Sequence, residues 1–403
     1  MFFKAQLPRG QQPYSKLHST PEWVLVEVYY KIKIKIKTKM ESASHNSDLI
    51  ELWTATEHDG TAWCVAWSPR GDMLASCGSD KTLRIWAAPP SGGDDFSTWT
   101  CIAALEGDQT RTVRSCRWSP CGAFIAATSF DSTTLIWERQ SDDGGMAVDD
   151  EEEAFQCVAV LEGHENEVKD VAWSTSGELL ATCSRDKKIW LWEAGADEEG
   201  VEFECICILS GHSQDVKCVR WHPHRPWLLS ASYDDTVKLW VEESEGTDEW
   251  LCALTLTAHK ATVWQLAFEG GLYGTHLDDA SAAASRPGLA TCSDDCSVVI
   301  WNDATDGSGS GGSPQLSAAQ HFENLHERTI FSVDWAREIA TGGADDAICI
   351  LARPVAGADF EVALRRPKAH DGDVNCVSWH PTRPDILASC GDDGAVKVWR
   401  VQL

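Results

Sequence analysis

Between Cys157 and Trp192 the chain reads as four short apolar-rich stretches separated by polar breaks: Cys157–Leu161, Val168–Ser174, Leu179–Ser184 and Lys188–Trp192. Val168, Val171 and Trp173, and then Leu180 and Thr182, are spaced as strand residues are, and the breaks fall at Gly163–Glu167 and Arg185-Asp186. The layout recurs seven times. A His stands nine residues before an aromatic at His58/Trp67, His164/Trp173, His212/Trp221, His259/Phe268, His326/Trp335 and His370/Trp379. An Asp stands six residues before a Trp at Asp80/Trp86, Asp131/Trp137, Asp186/Trp192, Asp234/Trp240, Asp295/Trp301 and Asp393/Trp399, and Asp345 precedes Leu351 at the same distance.

A period of roughly 40–45 residues with Gly-His and Trp-Asp type signatures marks a WD-repeat β-propeller, four strands to a blade. The expected fold is all-β: a seven-bladed ring over residues 48–403. The last blade has only three strands of its own, ending at Trp399. Its fourth is expected from the front of the domain, near Leu49–Thr56, a closure that also removes open sheet edges.

Residues 1–47 lie outside this frame. The first forty carry eight Lys/Arg against two Glu, including the alternating run Lys31-Ile32-Lys33-Ile34-Lys35-Ile36-Lys37. This stretch is expected to be a disordered basic extension or upstream sequence before a true start at Met40. A transit peptide is a third reading, but those are Arg- and Ser-rich amphipathic helices. The whole chain carries −28, so the ring is more acidic still, which argues against a nucleic-acid partner. No apolar run of 18 residues is present, so no membrane span is expected.

Sixteen cysteines raise the question of a metal or cluster. Twelve of them recur at fixed repeat positions: Cys64, Cys116, Cys218 and Cys376 in inner strands, Cys77, Cys183, Cys292 and Cys390 in second strands, Cys101, Cys157, Cys205 and Cys252 in outer strands. Thiols so placed are read as small buried hydrophobes, with neither metal nor cofactor expected. Free thiols fit a reducing compartment.

The connectors Ser141–Ala154, Glu193–Glu204, Glu242–Glu249 and Asn302–Gln320, with an insertion at Gly270–Pro287, are read as solvated loops on one face of the ring. A hydroxyl, a His and an Asp recur together. The sets are Ser76 with His58 and Asp80, Thr182 with His164 and Asp186, Ser230 with His212 and Asp234, Thr291 with His259 and Asp295, Thr341 with His326 and Asp345, and Ser389 with His370 and Asp393. Six catalytic triads in one ring are implausible. The expected role is a buried structural tetrad with the strand Trp (Trp86, Trp192, Trp240, Trp301, Trp399). The second blade departs from it, with Asp108 in the His position and Ala127 in the hydroxyl position, and the sixth has Leu351 for Trp. No phosphate loop, metalloprotease or nucleophile-elbow motif is present, so no enzyme is expected.

Function then falls to a surface. The residue four before each inner-strand aromatic reads Trp63, Arg114, Lys169, Lys217, Trp264, Phe331 and Asn375 around the ring. The residue before each structural Asp reads Ser79, Phe130, Arg185, Tyr233, Asp294, Ala344 and Asp392. Both sets are expected on one rim. Arg114, Lys169, Lys217 and Arg185, with Phe130, Tyr233, Trp63, Trp264 and Phe331, form the candidate partner-binding set, suited to an acidic or carboxylate-ended peptide with an aromatic side chain.

The stretches Leu161-Glu162-Gly163-His164-Glu165-Asn166-Glu167-Val168, Ala181-Thr182-Cys183-Ser184-Arg185-Asp186-Lys187 and Ser230-Ala231-Ser232-Tyr233-Asp234-Asp235 resemble one family, as do Gln214-Asp215-Val216-Lys217, Thr262-Val263-Trp264 and Asp373-Val374-Asn375-Cys376. The family is the WD-repeat subunit of the cytosolic iron–sulfur protein assembly (CIA) targeting complex. The resemblance implies a non-catalytic scaffold of cytoplasm and nucleus. Such a scaffold joins the other subunits and docks client apoproteins through C-terminal tails that end in an acidic residue and an aromatic. It also implies a functional surface Arg at Arg185. Leu239-Trp240-Val241 departs from the family's Leu-Tyr-Arg, a tripeptide linked to co-chaperone contact. The competing class is a generic WD-repeat adaptor, such as a ubiquitin-ligase substrate receptor or a chromatin-complex subunit.

Overall fold

The computed structural model describes residues 47–89, 95–140, 154–196, 201–243, 246–270, 287–303, 314–355 and 357–403. Residues 1–46, most of the 141–154 connector and the 270–287 insertion, and with them the readings placed there, lie outside the described residues. Within those described, 28 strands form seven antiparallel sheets of four strands each.

Each sheet is one blade. The first comprises Ala62–Trp67, Met73–Gly78, Leu83–Ala87 and Thr100–Leu105 from the inner to the outer strand. The seventh comprises Val374–Trp379, Ile386–Gly391 and Val396–Gln402, and its outer strand is Asp48–Ala55 from the front of the domain. That strand runs antiparallel to Val396–Gln402, with Leu49 opposite Val401 and Ala55 opposite Val396. The expected closure is present, shifted by one residue from Leu49–Thr56.

The third blade corrects one expectation. Glu193–Glu204 does not read through as a loop. The third strand is Lys188–Ala196 and the outer one Val201–Ser210, paired up to Ala196 opposite Val201. Phe203 packs against the Trp173 ring and anchors the hairpin, a contact hidden from the sequence by the flanking glutamates.

The core lies between blades. Trp67, Trp86, Trp118, Trp335 and Trp399 are among the largest fully buried side chains. Four inner-strand indoles staple one blade to the one before it. Trp118 Nε1 donates to Ala66 O at 3.2 Å, Trp173 to Arg117 O at 3.2 Å, Trp221 to Ala172 O at 3.0 Å and Trp67 to Ser378 O at 3.0 Å. Phe268 has no ring N–H, and among the described residues the buried Nε1 atoms of Trp335 and Trp379 have no acceptor. The seams of blades five to seven therefore lack this staple.

The thiols follow their strands only in part. The eight inner- and second-strand cysteines are buried, and burial pushes Cys218 up to about 12. Of the outer-strand set, Cys101, Cys157 and Cys205 are half-buried and Cys252 is exposed, because an outer strand has a neighbour on one edge only. Among the described residues no group of three or more His, Cys, Asp or Glu is placed to hold a metal ion.

Candidate docking rim

The tetrads fix the turns that carry the rim. In the third blade Trp192 Nε1–H donates to Thr182 Oγ1 at 3.0 Å, the hydroxyl faces His164 Nε2 at 3.0 Å, and His164 Nδ1 faces Asp186 at 2.7 Å. An indole N–H can only donate and a carboxylate only accept, so the hydroxyl donates to Nε2 and Nδ1–H donates to Asp186. The relay recurs in four more blades. In the first, Ser76 accepts from Trp86 at 2.8 Å and donates to His58 at 2.7 Å, and His58 meets Asp80. In the fourth, Ser230 accepts from Trp240 and donates to His212, which meets Asp234. In the fifth, Thr291 accepts from Trp301 at 3.0 Å and donates to His259 at 2.8 Å, and His259 meets Asp295. In the seventh, Ser389 accepts from Trp399 at 2.8 Å and donates to His370 at 2.7 Å, and His370 meets Asp393. His326, Thr341 and Asp345 repeat it without an indole.

The six hydroxyl residues are not part of any site open to a ligand. Ser76, Thr182, Ser230, Thr291, Thr341 and Ser389 are all 0% exposed, so no substrate reaches them as nucleophiles and no partner touches them. They lie in second strands, each between the His of the loop that enters the inner strand and, in five blades, the Trp of the third strand, and they tie these elements together.

The aspartate also binds backbone. Asp186 accepts the amides of Lys188 at 2.9 Å and Glu165 at 3.2 Å, tying the turn to the loop that enters the inner strand. The residue after the Asp takes a left-handed backbone, as at Lys81, Lys187 and Asp235. Burial pushes the carboxyls of Asp80, Asp345 and Asp393 up, but the hydrogen bond and charge of the partner His outweigh it and hold each at about 2. The second blade differs from its sequence reading. Asp108 is exposed and Gln109 is buried in its stead, accepting from Gly107 N at 3.2 Å. Trp137 Nε1 is left without an acceptor, as Ala127 implies.

The first rim set has a single structural origin. In every blade the inner strand breaks register against the second strand by one residue. The breaks fall at Ala62/Cys64, Val113/Ser115, Val168/Asp170, Val216/Cys218, Val263/Gln265, Ile330/Ser332 and Val374/Cys376. The unpaired residues are Trp63, Arg114, Lys169, Lys217, Trp264, Phe331 and Asn375. A bulge re-aims its extra side chain out of the ladder.

On blades two to four these side chains interlock with those of the turns. The Arg114 guanidinium lies 4.8 Å from the Trp63 ring centre, Lys169 Nζ 4.0 Å from Phe130, and Lys217 Nζ 5.2 Å from Tyr233 and 5.0 Å from Trp264. Phe331 packs edge-on against Trp264 at 5.0 Å. Arg185 projects with 57% of its side chain exposed, and Tyr233 is exposed as well. All nine expected partner-binding residues thus lie along one continuous stretch of rim.

Two residues escaped the sequence reading. Arg111 Nη2 meets Glu167 at 2.9 Å, and its guanidinium lies 5.8 Å from Phe130. Glu167 also accepts from Lys169 at 2.7 Å. Neither stands at one of the two rim positions compared around the ring in the sequence, so only their charge in the loop entering the inner strand could have flagged them. Asp215 stands 3.4 Å from Lys217, and Arg114 makes no ion pair among the described residues. Five cations therefore meet two carboxylates. Burial depresses the amines of Lys169 and Lys217, and the neighbouring Arg114 depresses both further. A ligand carboxylate would relieve that repulsion.

The opposite half is acidic. Asp294 and Asp392 are exposed, and at the border with the fourth blade burial and the crowding of Asp234, Asp295 and Asp294 raise the Asp235 carboxyl. Asn375 is buried and donates to Asp392 at 2.9 Å.

The family model for the WD domain, G-beta repeat, matches residues 50–87, 99–138, 155–193, 203–241, 250–302 and 362–400. The chain is 41% identical over 359 residues to the probable cytosolic iron-sulfur protein assembly protein Ciao1 of Culex quinquefasciatus, covering 86% of this chain and 96% of that protein. It is 42% identical over 369 residues to the probable cytosolic iron-sulfur protein assembly protein CIAO1 homolog of Chlamydomonas reinhardtii, covering 85% and 95%. A probable cytosolic Fe-S cluster assembly factor of Schizosaccharomyces japonicus is 36% identical over 94% of this chain, which spans 59% of that longer protein.

Proposed function

The chain belongs to the WD-repeat family of cytosolic iron–sulfur protein assembly proteins, and on that premise we propose that it is the machinery's docking scaffold, without chemistry of its own. It holds client apoproteins by their C-terminal tails while the other subunits of a targeting complex bind elsewhere on the ring. Iron–sulfur clusters are cargo passed between partners, in the cytoplasm.

The observation that carries this reading is the charge of the rim on blades two to four. Among the described residues Arg114 has no carboxylate partner, in a chain of net charge −28. Trp63, Phe130, Tyr233 and Trp264 stand beside the cations. A tail ending in an acidic residue and an aromatic would put its carboxylates on Arg114 and Arg185 and its ring among these aromatics. Charge-assisted hydrogen bonds of this kind contribute roughly 1.5–3 kcal/mol each.

The test is affinity capture on the full-length chain, with wild type and Arg185→Glu compared. The proposal expects iron–sulfur apoproteins on the wild type and their loss on Arg185→Glu, with the assembly subunits retained on both. Capture of ubiquitin-ligase or chromatin subunits in place of iron–sulfur proteins would overturn it in favour of a generic adaptor.

A further inference from the structure

We propose that Glu167 is the rim's own occupant of the place a bound carboxylate takes, and that it decides which tails the rim accepts. The inference rests on the reading of the rim as the tail site and adds a residue that opposes binding. Glu167 lies two residues before Lys169 in the loop entering the third blade. One carboxylate oxygen accepts from Arg111 at 2.9 Å, and the other accepts from Lys169 at 2.7 Å and lies 3.6 Å from Arg185. Cations of two blades thus converge on one side chain, as they would on a ligand.

The surroundings distinguish an occupant from a structural strut. The Glu167 side chain is 14% exposed, while Arg111 and Arg185, which face it, are 53% and 57% exposed. Its backbone is held independently, since Glu167 O accepts from Arg185 N at 3.0 Å. The side chain can therefore swing out while the loop stays in place. Burial pushes the carboxyl up, but Lys169 and Arg111 outweigh it and hold it at about 2, so the occupant stays ionised at neutral pH.

The neighbouring blades supply the comparison. At the same repeat position the fourth blade has Asp215, facing Lys217, and Asp215 O accepts from Tyr233 N at 2.9 Å. The second blade has Thr112, whose carbonyl accepts from Phe130 N at 2.9 Å, and so no carboxylate of this loop or of any other described residue pairs with Arg114. A first ligand carboxylate meets Arg114 unopposed. A second one must compete with Glu167 for Lys169, Arg111 and Arg185. Glu167 thereby limits the gain from a second negative charge and keeps weakly acidic segments off the rim.

The experiment titrates a fluorescein-labelled octapeptide ending in Asp-Trp with a free carboxylate, and its C-amidated form, into the full-length chain. The variants are wild type, Glu167→Gln, Glu167→Asp and Arg185→Glu, each checked for an unchanged thermal midpoint. Glu167→Gln is expected to bind the free-acid peptide at least threefold more tightly than wild type, with a smaller gain for the amidated peptide. Glu167→Asp, which keeps the charge but cannot span the same cations, is expected to fall between and decides the matter if Glu167→Gln does not fold. Unchanged or weaker binding by the folded Glu167 variants would overturn the proposal and make Glu167 a strut for Lys169 and Arg111. The Arg185→Glu arm reports separately on the underlying reading: if it binds like wild type, the rim is not the tail site and both fall.

Discussion

Replacing His164 by alanine removes a donor to Asp186 and an acceptor for the Thr182 hydroxyl at once. Both partners are buried or half-buried, and leaving such groups unsatisfied costs roughly 1–3 kcal/mol. His164→Ala should lower stability by about that much in a denaturant titration, while the folded fraction still docks its partners. Normal stability with lost docking would give His164 a role on the surface instead. The aspartates make the same relay sensitive to acid. In Asp80, Asp345 and Asp393 the folded carboxyl is held at about 2, below its ordinary value of 3.8. Below that ordinary value the unfolded chain binds more protons at these sites than the folded one, so acid favours unfolding. Their contribution should be whole above about pH 4 and lost as the pH falls through about 2, read by tryptophan fluorescence along an acid titration. A relay that kept full stability down to pH 2 would contradict the assignment.

At the scale of strands and blades, the four indole staples predict an uneven ring. Trp118→Phe strands the buried carbonyl of Ala66, whereas Trp379→Phe removes an N–H that has no acceptor. The volume lost is the same, so Trp118→Phe should destabilise by about 1 kcal/mol more than Trp379→Phe. Equal losses would mean that the staples add nothing beyond packing. The strand Asp48–Ala55 completes the seventh blade, and each of the seven sheets has four described strands from Asp48 onward. A chain starting at Met40 is therefore expected to melt with the full-length chain, and one starting after Ala55 to lose the monomeric ring. Much of this scale was legible in advance. The His and Asp spacings place all seven blades because each blade repeats one set of buried contacts, with Ser76, Thr291 and Ser389 at the centre of three of them. The spacing failed where burial, rather than count, decides. In the second blade Gln109 turns inward although Asp108 has the right number, and Phe203 extends a strand through a stretch that reads as an acidic loop.

Across the whole molecule, the seven repeats present one side chain each from the same bulge, and the sequence varies what is presented. Blades two to four present the cations Arg114, Lys169 and Lys217, blades one, five and six present the aromatics Trp63, Trp264 and Phe331, and the turns of blades five and seven carry Asp294 and Asp392. The nine rim residues were readable from register alone. Arg111 and Glu167 were not, because their meeting depends on how the loops of two blades approach each other. The account's central claim is that the cationic half of this rim grips acidic, aromatic-ended tails, and its most direct measurement is one pair of dissociation constants. A fluorescent tail peptide ending in an acidic residue and an aromatic is titrated into the purified wild-type chain and into Arg185→Glu, with Glu178→Lys, exposed in the turn at the opposite end of the same blade, as the matched control. The account predicts binding at least tenfold weaker for Arg185→Glu at an unchanged thermal midpoint, and little change for Glu178→Lys. Equal affinity of wild type and Arg185→Glu would contradict it and move the binding surface off this rim.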